Sequence, residues 1–232
     1  HRRVVEIVAA QTDRRVPVIA GAGTASTRHS IHLAKAAKEV GADGLLLVCP
    51  YYNRPTQAGL EAHFRAILRE VPMPAVLYNI PARTGVDLGA ATIERLADVE
   101  EIVAIKEATG NVLRSQEILA RCGDRFAVLS GDDALTLPIL AVGGSGVISV
   151  TANAFPVETC RVPQLFFEGK VDEARALHMR LLPVHEAMFV ESNPGPVKAL
   201  LAAAGLMASE LRLPLVWPAD ASMARLRSAC EA

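Results

Sequence analysis

A chain of 232 residues that is 51% hydrophobic can bury one sizeable core, and its length approaches the roughly 250 residues of an ordinary α/β barrel. Lys plus Arg (24) nearly cancels Asp plus Glu (25), which leaves no broad field to hold a nucleic-acid backbone or an anionic membrane, so a small-molecule ligand is expected. Cys49, Cys122, Cys160 and Cys230 form no CxxC pair, no apolar run reaches the roughly 18 residues of a membrane span, and no signal-peptide pattern opens the chain, so reduced thiols and a cytoplasmic location are expected.

The opening HRRVVEIVAAQTD carries Val4, Val5, Ile7 and Val8 at helical spacing and reads as a chain entered midway. VPVIAGAG (16–23) is a short apolar run closed by glycines, a buried strand and turn. STRHSIHLAKAAKEVGA then begins with cap-type residues and stops at Gly41, as a helix does. The alternation repeats through strand 44–50, helix 56–71 with Thr56 as its cap, strand 75–80, helix 91–99, strand 102–108 and helix 111–123. Strand 126–133, helix 134–144 and strand 146–150 complete it. Near-continuous apolar strands separated by helices predict a parallel sheet covered by helices. No GxGxxG or GxxxxGK[ST] follows the first strand, which favours a barrel over a nucleotide-binding open sheet. From Pro156 the strands stop, so residues 1–155 are expected to form the strand-bearing part and 156–232 a helical extension.

Some side chains on this frame carry chemistry. In IVAIKEATG, alternation places Ile102, Ala104 and Lys106 on one face and Val103, Ile105 and Glu107 on the other. A lysine in an apolar strand is costly to bury charged; desolvation lowers its pKa and yields an amine nucleophile toward a carbonyl. A lysine snorkelling from a strand end fits the same residues. Tyr78 in AVLYNIPARTG shares a face with Val76 and Ile80, either as a proton relay or as a core tyrosine with one satisfied hydrogen bond. Arg83 follows that strand, where a guanidinium can hold a carboxylate with two bonds or simply face water. Tyr51 and Tyr52 close another strand, as packing aromatics or site residues, and SGDD and GVISVTAN put small groups at further strand ends. His29 and His32 lie three apart on a helix and read as surface residues, too few for a zinc site.

In order, VIAGAG, PYYNRPTQAG, LYNIPARTG, IVAIKEATG, SGDDALTLP, GVISVTAN, NPGPVKALL and LRLPL closely resemble the dihydrodipicolinate synthase family, whose superfamily also holds N-acetylneuraminate lyase and the 2-keto-3-deoxy sugar-acid aldolases. The resemblance runs through almost the whole chain. It implies a TIM (β/α)8 barrel lacking its first two βα units, with a C-terminal helical extension, and a Schiff-base lyase that condenses pyruvate with L-aspartate 4-semialdehyde. On it Lys106 is the imine-forming lysine, Tyr78 the proton-relay tyrosine, and Tyr52 the tyrosine donated across a dimer interface. Arg83 becomes the arginine for the semialdehyde carboxylate, and Gly131 and Ile148 positions whose backbone lines the pyruvate pocket. No metal or organic cofactor is implied, and a homodimer or homotetramer is.

Two departures stand out. The family's first two strands and the GTTGE loop, which carries the threonine linking the two tyrosines, have no counterpart here, and six strands leave open edges where eight would close. Ala25 and His29 occupy the positions of the asparagine and glutamate that bind feedback lysine in regulated members, so weak or absent inhibition by lysine is expected. A sugar-acid or sialic-acid aldolase on the same scaffold and a non-catalytic fragment are the alternative readings, with Arg83 favouring the synthase.

Overall fold

The computed structural model describes residues 1–231 and divides the chain into two compact units. The first comprises His1–Gly131 with Val142–Ser145, the second Asp132–Ala141 with Gly146 onward. The first alternates strand and helix, and the second is mostly helical with one short strand. Among the described residues no helix is long and apolar enough to cross a membrane.

In the first unit, α1 (Arg2–Thr12) precedes β1 (Ile19–Gly21), α2 (Thr27–Glu39), β2 (Gly44–Val48), α3 (Gln57–Glu70) and β3 (Ala75–Asn79). Then come α4 (Pro81–Thr84), α5 (Ala90–Leu96), β4 (Ile102–Glu107), α6 (Val112–Cys122) and β5 (Ala127–Ser130). The strands lie in chain order, each parallel to the next, as the run of near-continuous apolar strands predicts. Helix starts follow the side-chain oxygens available: Ser26 accepts from the His29 N–H, Thr56 from Gly59 and Asn111 from Leu113. One face of the sheet sends Leu45, Leu47, Ala75, Leu77 and Ile105 into a core completed by Leu60, Phe64, Ile67, Ile93 and Ile118 from the helices. Complete burial of each large apolar side chain contributes about 1.5–3 kcal/mol. The helical spacing of α1 is real, but only Val5 is buried; Val4, Ile7 and Val8 face outward.

One expectation of strict alternation is corrected in β4. Ala75 pairs with Ile102, but Val76 pairs with Ala104, so Val103 is an extra residue and stands 45% exposed. The bulge turns Ile102 away from the Lys106 face and into the same core as Leu77 and Ile105. A two-residue period cannot carry a residue that has no partner.

The second unit contains α7 (Thr136–Ala141), β6 (Gly146–Val147), α8 (Pro156–Phe167), α9 (Val171–Ala187), α10 (Gly195–Ala203) and α11 (Asp220–Glu231). Its core joins Val184, Ala187, Met188, Val197 and Leu226. Both strand stretches expected near this unit end early. The 126–133 run stops at Ser130, because Asp132 accepts from the Ala134 N–H and starts a 3₁₀ turn over Asp133–Leu135. The 146–150 run stops at Val147, because buried Asp133 captures the Ser149 hydroxyl and the N–H groups of Val150 (2.9 Å) and Thr151 (3.3 Å). A carboxylate that takes backbone donors removes them from a ladder.

Candidate active site

Lys106 stands near the C-terminal end of β4, and its ladder partner across the sheet is Tyr78 on β3. Lys106 is 9% exposed, and its Nζ lies 4.2 Å from the centre of the Tyr78 ring. The amine thus lies over the face of the ring that carries the phenol. Burial pushes the Tyr78 phenol above its ordinary value, with the Arg83 charge pulling the other way. The phenol is therefore protonated at neutral pH and able to donate.

Arg83 reaches this region from α4, a helical turn that the strand-and-helix rhythm does not reveal. Pro81 occupies its first turn and Gly85, at φ 74°, ends it in left-handed backbone. Proline at the start and glycine just past the end form the signal that could have found it in PARTG. Thr84 fixes the turn with its hydroxyl donating to the carbonyls of Ile80 and Val86. A cavity of about 370 Å³ is lined by Tyr78, Arg83, Thr84, Tyr51, Val48 and Gly23, among others. Its walls are mostly apolar, with Arg83, Tyr51, Tyr78 and Thr84 as the lining residues that carry polar side chains, a composition that suits a small ligand carrying a carboxylate.

Gly131 follows β5 and lies against the stem of the lysine. A Cβ there would come within 2.5 Å of Ala108 Cβ, which only glycine avoids, and within 3.1 Å of Lys106 Cε. Gly23 is equally constrained, since a Cβ would sit 2.3 Å from the backbone nitrogen of Val48.

Tyr52 departs from this group. It is 92% exposed and sits at φ 74°, while its N–H donates to the Thr84 carbonyl at 3.2 Å. Left-handed backbone is costly for a bulky residue, and this loop is held by the Asn53 amide donating to the Ala25 carbonyl at 2.9 Å. Ile148 lies just beyond β6 in the second unit and is half-buried. The structure thus brings together Lys106, Tyr78 and Gly131, and sets Arg83 with Tyr78 on one cavity; Tyr52 points to solvent.

Residue-by-residue reading missed a polar cluster on the opposite face of the same strands. Glu107 is buried, and its carboxylate accepts from the Thr109 N–H at 2.6 Å and the Asn79 amide at 3.1 Å. Burial raises its pKa, and the bonds from Thr109 and Asn79 oppose the rise. Cys49 is wholly buried nearby, and burial first, then the charges of Asp87 and Glu107, push its thiol up to about 12. That thiol is inert. Among the described residues no three His, Cys, Asp or Glu side chains gather as metal ligands would.

Residues 1–232 match the model of the dihydrodipicolinate synthetase family. The chain is 54% identical over 226 residues to the 4-hydroxy-tetrahydrodipicolinate synthase of Pelobacter propionicus, an alignment covering 97% of this chain and 78% of that one. Among solved structures, the 4-hydroxy-tetrahydrodipicolinate synthase of Methylacidiphilum fumariolicum SolV superposes with a TM-score of 0.98 at 45% identity, covering 100% of this chain and 77% of that one. The chloride-inhibited dihydrodipicolinate synthase of Acinetobacter baumannii, solved with pyruvate, gives 0.97 at 42% identity over 100% and 79% of the two chains. These likenesses agree with the ordered motifs from VIAGAG to LRLPL, and the chain belongs to the dihydrodipicolinate synthetase family.

Proposed function

We propose that this chain condenses pyruvate with L-aspartate 4-semialdehyde through an imine on Lys106, giving 4-hydroxy-tetrahydrodipicolinate on the route to diaminopimelate and lysine, in the cytoplasm. The observation that carries the reading is a buried strand lysine whose amine lies 4.2 Å from the ring of a half-buried tyrosine.

The Lys106 amine attacks the ketone carbon of pyruvate, the ketone oxygen takes a proton, and the carbinolamine hydroxyl leaves as water. Tyr78, protonated at neutral pH, supplies protons to that oxygen and recovers them from the nitrogen. The imine withdraws electrons from the neighbouring methyl carbon, which loses a proton to give an enamine. The enamine carbon then forms a bond to the aldehyde carbon of the semialdehyde, whose carboxylate Arg83 holds; the C=O π pair moves to the aldehyde oxygen, which takes a proton to become a hydroxyl, and the imine on Lys106 is restored. The amino group of the adduct displaces Lys106, closing the ring and releasing the free amine for another turnover.

In this reading Tyr52 is donated to the site of a second copy in a homodimer or a dimer of dimers, which accounts for an exposed tyrosine kept in left-handed backbone. Gly131 serves by leaving space beside Lys106, and the role of Ile148 rests on the motif GVISVTAN. The six strands take the places of the third to eighth strands of a (β/α)8 barrel.

Borohydride reduction in the presence of pyruvate tests the chemistry, because it fixes an imine irreversibly on its lysine. The expected result is a pyruvate-derived mass gain on the peptide containing Lys106, lost in Lys106→Ala. Folded protein that gains no mass, or gains it on another lysine, refutes the assignment.

A further inference from the structure

The residues that follow Tyr78 and Lys106 in their strands, Asn79 and Glu107, are also ladder partners, and alternation turns both to the opposite face. Asn79 is wholly buried there, and its amide nitrogen donates to Asp87 Oδ1 at 2.8 Å and to Glu107 Oε2 at 3.1 Å. Its carbonyl oxygen accepts from the Leu88 N–H at 3.0 Å. Both amide hydrogens and the oxygen are in use, so the side chain has one orientation. Arg114, on α6, closes the cluster by donating to both Asp87 oxygens, at 3.2 and 3.0 Å, and to the Leu88 carbonyl at 3.2 Å.

The backbone extends the same joint across neighbouring strands. Cys49 N–H donates to the Tyr78 carbonyl at 3.0 Å, Ala108 N–H to Asn79 at 2.9 Å and Gly131 N–H to Glu107 at 2.7 Å. Apolar residues would cover this face without the cost of dehydrating a carboxylate. A fully satisfied polar network contributes something apolar packing does not, which is a single alignment of its members. Alignment matters acutely here, because a slip of one residue in β4 would exchange the faces of Lys106 and Glu107.

We propose that Asn79, Glu107 and Arg114 are positioning residues that lock the register of β3 against β4, and through it the meeting of Tyr78 and Lys106. The proposal rests on Lys106 as the imine lysine. Asn79→Asp is the decisive change: it removes the donor between two carboxylates while altering the volume little. Adding Glu107→Gln restores a donor between positions 79 and 107 and returns the cluster to its original charge.

The measurement is the rate of pyruvate trapping by borohydride on the full chain, as a function of pyruvate concentration, with circular dichroism to verify folding. Asn79→Asp is expected to trap about tenfold more slowly at saturating pyruvate, its half-saturation changing by less than about threefold, because misplacement of a reacting group lowers the rate more than the binding. The double variant is expected to recover most of that loss. A folded Asn79→Asp that traps at the original rate overturns the proposal, and so does a double variant no faster than the single one. Should Asn79→Asp fail to fold, Glu107→Gln alone is expected to slow trapping about threefold by loosening the same joint, and an unchanged rate overturns the proposal. An unsubstituted folded chain that traps nothing overturns the Lys106 reading and this one with it, whereas the other failures leave Lys106 in place.

Discussion

Tyr78 sits in regular strand backbone with its ring against the Lys106 amine, whereas Tyr52 sits in left-handed backbone at 92% exposure. The first is placed by its neighbours on either side in the sheet. The second is placed by its loop alone, through the Tyr52 N–H to Thr84 and the Asn53 amide to Ala25. The contrast is between a ring fixed inside the sheet and a ring that its loop leaves in water.

Tyr78→Phe gives the largest expected effect, because it removes the proton-carrying oxygen and leaves the packing. A fall of about 10²- to 10⁴-fold in kcat, at every protein concentration, is the expected outcome of steady-state assays. Only a small fall would move Tyr78 to the class of core tyrosines. Arg83→Ala comes next, with kcat/KM for the semialdehyde falling about 10- to 100-fold, as loss of a charge-assisted bond to a carboxylate implies. Pyruvate trapping should be spared, and an equal loss for both substrates would place Arg83 elsewhere in the cycle.

The other half of the comparison is tested by mixing. Lys106→Ala copies keep Tyr52 and Tyr52→Phe copies keep Lys106, so mixed dimers hold one complete site; random exchange of equal amounts restores about a quarter of full activity. Recovery at or below the simple average of the separate variants would return Tyr52 to its own chain. The smallest effect is expected beside the same loop. With Ala25 and His29 at the two positions implied for lysine recognition, excess lysine should inhibit weakly or not at all, and an ordinary inhibition curve would contradict that.

Much of this was legible in the residues. Strands β2, β3 and β4 announced themselves as apolar runs between helical stretches, and Lys106 stood out as a lysine within a mostly apolar strand. The polar cluster was hidden for a physical reason: Asn79, Asp87, Glu107 and Arg114 meet only through folding, and Glu107 beside Lys106 looks in sequence like one more solvated charge. Asp133 was equally opaque, since its partners lie 16 to 18 residues further on. The short β6 followed from that capture, which no local propensity encodes.

Val103 gives β4 a tolerance of length that its ladder otherwise denies. Ile102 already lies in the core with Ile105, and Ala104 falls two residues before Lys106 on the other face, as adjacent residues of an uninterrupted strand would. Losing Val103 would therefore close the ladder instead of shifting its phase, and Lys106 would keep its direction; trapping by pyruvate in the deletion variant at the original rate is the expected sign. A lineage could shorten this strand by one residue without the face that carries Lys106 recording the change.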